Sequence, residues 1–179
     1  MLSFEIGFWH PFGPHAGETA DEILERKRRE IHTNGWTLWS FQFRNSLRDW
    51  FRELEKAHPR SVVVFCSEGK GARAPKSITK ECVWYTPVHE DIKRKIPSCV
   101  RVPHPVGKRE CGSAFIVKNI IYPADIEPLP VEWFRAGAWQ DAPLPTRPEY
   151  LIRSGGTHLI RPVRAVLELS YPFLAEVQS

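Results

Sequence analysis

No stretch restricts the fold of this chain more than Gly35 to Trp50, GWTLWSFQFRNSLRDW, into which three tryptophans, two phenylalanines, a glutamine and two arginines are crowded. Aromatic and β-branched residues suit a pleated, half-buried surface, so Gly35–Gln42 reads as a strand. Alternation then puts Trp36, Leu38, Ser40 and Gln42 on one face, and Thr37, Trp39, Phe41 and Phe43 on the other. One face is apolar throughout. The opposite face begins apolar and turns polar towards its end, as a pocket wall or the mouth of a barrel would. Ser46 caps a following helix, with Asp49 three residues on as a short-armed capping box. Gln42, Arg44 and Asn45 therefore fall where a strand gives way to a helix N-terminus.

Around that stretch the chain reads in order. Leu2–Trp9 alternates as a first strand, closed by the turn-forming segment HPFGPHAG. Thr19 and Glu22 make a capping box for a helix that runs to about Thr33, with Ile23, Leu24, Lys27 and Ile31 along one side and Asn34-Gly35 as its stop. Glu22/Arg26 and Glu25/Arg29 are spaced as i,i+4 pairs on its charged faces. A second helix, Leu47–Ala57, carries Leu47, Trp50, Phe51, Leu54 and Ala57 at helical spacing. Ser61–Cys66, SVVVFC, has the length and composition of a central strand covered on both faces. Glu81–Val88, Ala114–Ile121 and Val163–Tyr171 read as further strands. Pro123 to Pro148 holds six prolines with Trp133 and Trp139. It reads as an ordered surface loop with one helical turn at Val131–Ala136.

Strands alternate with helices only at the start, which argues against a doubly wound sheet. The pattern predicts an α+β fold: a mixed curled sheet or small barrel flanked by two early helices. A chain of 179 residues is long enough to bury roughly 70% of its unfolded surface, so residues 1–179 read as a single domain. A net charge of +4 permits anionic partners without demanding them. Cys66, Cys82, Cys99 and Cys111 follow no tight spacing and no secretory segment precedes them, which predicts a cytoplasmic protein with reduced thiols. No apolar run approaches the roughly 20 residues that span a bilayer, so no membrane partner is expected.

The candidate site follows from the aromatic strand. Trp36, Trp39 and Phe12 supply ring faces for stacking, which contributes roughly 1–3 kcal/mol per nucleobase. Ser40, Gln42 and Asn45 supply donors and acceptors for a base edge, and Arg44 a phosphate contact. His10 and His15 flank the stiff turn Pro11-Phe12-Gly13-Pro14, where an imidazole could act as base, ligand or stacking partner. Each of these residues also has an ordinary structural role open to it, the rings in a core and the histidines in a solvated turn. Glu68-Gly-Lys70 after an apolar strand matches the Glu-x-Lys of metal-dependent nucleases, a chemistry that needs a second carboxylate to hold Mg²⁺. Cys82, Cys99, His104 and Cys111 include zinc-type ligands at spacings that match no zinc knuckle. No metal and no cofactor is therefore expected. Three functions remain open: a nucleic-acid-binding module, a nuclease or nucleotide-processing enzyme, and a protein-interaction domain using the Pro123–Pro148 loop.

Phe41-Gln42-Phe43-Arg44-Asn45-Ser46-Leu47-Arg48 resembles the Tyr-Gln-x-Arg-Asn-x-Leu-Arg segment of EVE domains, members of the PUA-like superfamily. Val62–Lys70, Ala114–Ile121 and Arg164–Phe173 are similar to later strands of that family. The chain departs from it at His58-Pro59-Arg60-Ser61, at Trp9-His10-Pro11-Phe12 and in an insertion at about 71–110. The resemblance implies a PUA-like pseudo-barrel that binds DNA or RNA and recognises a nucleobase, modified bases included. On it, Ser40, Gln42, Arg44 and Asn45 map onto the pocket segment.

Overall fold

The computed structural model describes residues 2–14, 18–41, 53–54, 56–57, 59–68, 82–83, 86–87, 102–103, 112–126, 128–145, 150–160 and 163–178. Its elements are β1 (Ile6–Phe12), α1 (Ala20–Asn34), β2 (Thr37–Phe41), β3 (Val62–Glu68), β4 (Cys82–Val83), β5 (Thr86–Pro87), β6 (Val102–Pro103), β7 (Gly112–Ile121), β8 (Pro130–Arg135), β9 (Ala138–Gln140), β10 (Tyr150–Ser154), β11 (His158–Leu159) and β12 (Ala165–Gln178). A 3₁₀ turn spans Pro123–Asp125. The class is α+β, with strands far outnumbering helices among the described residues. Of the expected second helix, Glu53, Leu54, Lys56 and Ala57 are described and helical; the rest lies outside the described residues.

The chain forms two compact units, each gathered from three separated segments. The first comprises Met1–Phe12, Arg44–Gly69 and Ile120–Glu168, and the second Gly13–Phe43, Lys70–Asn119 and Leu169–Ser179. Within the first unit the strand order is β11-β8-β10-β1-β3-β12. β1 and β3 are parallel, while β10, β8 and β12 join antiparallel, so the sheet is mixed. The apolar run SVVVFC becomes an interior strand of this order, between β1 and β12, and Val62 through Cys66 are all buried. A strand flanked on both sides and covered on both faces has no solvent-facing positions to be polar, which is why its sequence does not alternate.

Register divides the first unit's side chains into two faces. Trp9, Val63, Phe65, Val131, Trp133, Tyr150, Ile152 and Val166 share one. Leu2, Phe4 and Leu144 join them in a continuous core. The rings there touch in sequence: Phe4 meets Phe65 edge-on at 5.1 Å, Phe65 lies nearly parallel to Trp9 at 6.3 Å, and Trp9 nearly parallel to Tyr150 at 6.0 Å. Phe8, Phe12, Val64, Cys66, Leu151 and Leu167 are buried on the other face.

In the second unit β2 pairs antiparallel with β7, from Thr37↔Val117 to Phe41↔Ser113. The N-terminus of α1 is closed as its sequence predicts: the Thr19 backbone N–H donates to Glu22 (2.8 Å), and the Glu22 backbone N–H donates to the Thr19 hydroxyl (3.2 Å). Gly35 ends the helix in the left-handed conformation (φ 84°) that a side chain would resist. Ala20, Ile23, Leu24 and Lys27 form its buried face.

Two expectations are corrected. β1 does not stop at Trp9 but continues through His10, Pro11 and Phe12 beside β3. Pro11 stands opposite Ser67 in the parallel ladder with β3. The segment after Pro123 is not a loop with a helical turn but a β-hairpin, β8 and β9, closed by Ala136-Gly137. Both turn residues have positive φ, 50° and 82°. That is the two-residue turn whose twist matches paired strands.

Candidate functional site

The residues expected to form a base pocket divide between the two units, and several lie outside the described residues. Trp39 is buried, 5% exposed, and Phe12 likewise at 6%. Both are packed as core rings and present no face to solvent. Trp36, on the residue before β2, is half-buried. His10 is half-buried on β1, with its ring stacked on Phe8 at 6.1 Å. Ser40 pairs with Ala114 through the backbone. Its side chain, along with Gln42, Arg44, Asn45 and His15, lies outside the described residues. Trp36, Trp39 and Ser40 belong to the second unit, and His10 and Phe12 to the first.

The nuclease motif fares differently. Glu68 ends β3, is exposed, and faces Arg164 at 3.5 Å. Among the described residues no group of three or more His, Cys, Asp or Glu side chains could hold a metal ion. Cys66 is fully buried and its thiol is pushed above its ordinary range by that burial. A thiol that cannot ionise is neither nucleophile nor ligand. Cys66 is accordingly expected to escape iodoacetamide in the folded protein and to react once urea is added, as read by peptide-level mass spectrometry.

What the structure does assemble is an aromatic and cationic edge on the first unit. In the hairpin, Phe134 stands opposite Trp139, with ring centres 5.4 Å apart. The Arg153 guanidinium from β10 lies over the Trp139 ring at 4.5 Å. Glu132 fixes it there, accepting from Nε and pairing with the terminal nitrogen, both at 2.6 Å. The Arg153 side chain still keeps 43% of its surface open. On the opposite face of the same hairpin Arg135 sits 5.8 Å over the Trp133 ring. Trp133 in turn meets Tyr150 edge-on at 5.7 Å. A cation over an indole face is favoured by the ring quadrupole, so each face of the hairpin carries one Arg–Trp pair.

Beside this edge the turn between β10 and β11 is latched by Asp141. Its carboxylate accepts from the Thr157 backbone N–H (2.8 Å) and hydroxyl, and lies 3.0 Å from His158 Nδ1. The bond to His158 and then that to the Thr157 backbone hold the Asp141 carboxyl below its ordinary value. Gly156 makes the close approach possible, because a Cβ there would lie 2.8 Å from the Val131 carbonyl and 2.9 Å from both Asp141 Oδ1 and Glu132 Cγ.

In the second unit α1 carries a buried charge network. Lys27, 3% exposed, bonds the Leu38 carbonyl, the Thr37 hydroxyl (3.4 Å) and Glu30 (3.3 Å). The Thr37 hydroxyl donates to Glu30. Arg26 pairs with Glu18 at 2.7 Å and with Glu30 at 3.2 Å. Desolvation brings the Lys27 pKa down to about 8, although Glu30 works against the shift. These groups satisfy one another and hold α1 to β2; they leave nothing open to a ligand.

The sequence names Trp133, Trp139 and Arg153 without placing them. The signal that would have placed them is the alternation in Val131-Glu-Trp-Phe-Arg135 on one side of Ala136-Gly137. Comparisons with protein-family models, with curated proteins and with solved structures gave no match for this chain. No helix among the described residues is long and apolar enough to cross a membrane.

Proposed function

We propose that this chain is a nucleic-acid-binding module that captures a nucleobase of DNA or RNA, modified bases among its targets, between aromatic rings. The observation that carries the proposal is Arg153 held over Trp139 by Glu132 and still partly exposed. Proteins that hold single strands combine rings for stacking with cations along the backbone, and this edge has both. In the same reading the fold is a PUA-like pseudo-barrel of EVE type.

The test is fluorescence anisotropy with labelled single-stranded 12-mers of DNA and RNA between 50 and 200 mM salt. Affinity is expected to fall steeply as salt rises, and Arg153→Gln to reduce the slope of log K against log salt by about 0.7. Trp139→Ala is expected to weaken binding roughly ten- to a hundredfold, the stacking of one base. Affinity indifferent to salt and to both substitutions would leave the proposal without support.

A further inference from the structure

The carboxylate of Asp141 does more than close a turn. It accepts from the Thr157 backbone N–H (2.8 Å), from the Thr157 hydroxyl (3.1 Å) and from His158 Nδ1 (3.0 Å). Because its pKa lies below the ordinary carboxylate value, first through the bond to His158, it carries no proton near neutrality. The hydrogen shared with His158 therefore belongs to Nδ1, and in the neutral ring Nε2 bears the lone pair. No described residue bonds Nε2. The His158 side chain keeps 35% of its surface open and that of Asp141 37%. A carboxylate that fixes the tautomer of an accessible imidazole is the arrangement by which proteins orient a general base.

This pair borders the aromatic and cationic edge. Asp141 follows β9 directly, two residues after Trp139. A Cβ on Gly156 would lie 2.9 Å from both Asp141 Oδ1 and Glu132 Cγ, so these two side chains border one another across the glycine. Glu132 in turn holds Arg153 over Trp139. It engages Nε and Nη2 of Arg153, and no described residue bonds Nη1. Each carboxylate is thus occupied by its own partners. One open stretch of the first unit carries a ring, a guanidinium with a donor to spare and an oriented imidazole.

We propose that this surface cleaves RNA, with His158 as general base and Asp141 as the residue that positions it. The inference rests on the nucleic-acid reading given above and adds a reaction to it. The nucleophile comes from the substrate. His158 Nε2 takes the proton of a ribose 2′-hydroxyl, and the 2′ oxygen forms a bond to the phosphorus of the adjacent 3′ phosphodiester. The bond from that phosphorus to the 5′ oxygen of the next nucleotide breaks, and the departing oxygen takes a proton from water. The hydroxide so formed recovers the proton from His158, which returns the ring to its starting state. The products are a 2′,3′-cyclic phosphate and a free 5′-hydroxyl, and no co-reactant is consumed. Arg153 Nη1 is the donor available to the charge that grows on the phosphate oxygens, and Trp139 stacks a neighbouring base. DNA lacks the 2′-hydroxyl and is bound without being cut.

The test is incubation of the protein with 5′-labelled single-stranded 12-mers of RNA, DNA and 2′-O-methyl RNA, resolved by electrophoresis, with the new ends identified by mass spectrometry. RNA is expected to be cut to fragments that end in a 2′,3′-cyclic phosphate, and the other two strands to stay whole. His158→Ala is expected to lower the rate by at least about a hundredfold, the contribution of one general base, with part of the rate restored by added imidazole. Asp141→Asn is expected to lower kcat about tenfold or more while KM moves less than about twofold, a split that a merely disturbed turn would not give. Should His158→Ala fold poorly by its thermal midpoint, His158→Gln takes its place, and the 2′-O-methyl comparison needs no variant at all. RNA that binds but stays whole overturns the inference and leaves the nucleic-acid reading standing. RNA cut equally well by the His158 variants, or 2′-O-methyl RNA cut as fast as RNA, overturns it too. If no 12-mer is bound and none is cut, both fall.

Discussion

Changing Glu30 to glutamine is expected to lower the free energy of unfolding by about 3 kcal/mol at pH 7, whereas changing Lys27 to methionine is expected to cost less than about 1 kcal/mol. The two partners of one buried pair are unequal because of what each substitution leaves behind. Glutamine takes the nearest anion away from the fully buried Lys27 ammonium and leaves neutral acceptors such as the Leu38 carbonyl and the Thr37 hydroxyl beside it. Methionine removes the desolvated charge and keeps the aliphatic stem in place. Glu30 then still has Arg26 at 3.2 Å and the Thr37 hydroxyl. What is lost is the donor to the Leu38 carbonyl, and relief of the buried charge offsets most of that.

The same pair predicts how stability changes with pH. The Lys27 pKa is about 8 in the folded chain against an ordinary value of 10.5. Below 8 both folded and unfolded states hold the proton, and the folded state bears the full cost of burying it. Between 8 and 10.5 the unfolded chain binds a proton that the folded chain has released, so stability rises with pH. Across that window the gain from this group amounts to about 3 kcal/mol. Urea unfolding of wild type and Lys27→Met, followed from pH 7 to 10.5, isolates it, because other alkaline groups affect both proteins alike. The difference should grow in favour of wild type through the window. A difference that stays flat would mean that the ammonium is solvated and that the pair at the α1–β2 contact is not buried.

Lys27 also shows how far the sequence can be read. It falls on the apolar side of α1 together with Ile23, Leu24 and Ile31, so its position was legible, but its partners were not. Thr37 and Leu38 lie in the next strand, and pairing across elements leaves no trace in spacing. Arg26 shows the same limit: Glu30 stands at its i+4 position, but Glu18, at 2.7 Å, lies eight residues back and outside α1. Signals confined to a few neighbouring residues survive folding intact. The Thr19–Glu22 box, the Gly35 stop and the uniform run Val62–Cys66 are of that kind. The hairpin at Ala136-Gly137 is also local, but prolines on both sides and the absence of Asn-Gly or Asp-Gly mask it. With it were hidden Arg153 on Trp139 and the approach of Trp133 to Tyr150, which depend on β10 docking beside β8. The aromatic strand illustrates the opposite error. Trp39 is conspicuous in the sequence for the reason that makes it useful in a core, its large apolar area.

Placing a methyl group on Gly7 is expected to destabilise the first unit by about 2 kcal/mol, although nothing about the glycine backbone requires it. Gly7 lies in the middle of β1, between Val63 of β3 and Ile152 of β10. A Cβ there would stand 2.7 Å from Phe65 Cε2 and 2.9 Å from Ile152 Cγ1, both inside the closest approach real side chains make. The Phe65 ring occupies the space that the missing side chain leaves. Phe65→Ala should therefore cost about 3–5 kcal/mol, since the ring is fully buried and joins Phe4 to Trp9. Because one group fills the volume the other vacates, the two changes should not add. Gly7→Ala combined with Phe65→Leu should be more stable than the sum of the single variants by about 1 kcal/mol, measured as a double-mutant cycle in urea. Strict additivity would show that Phe65 does not rest on Gly7.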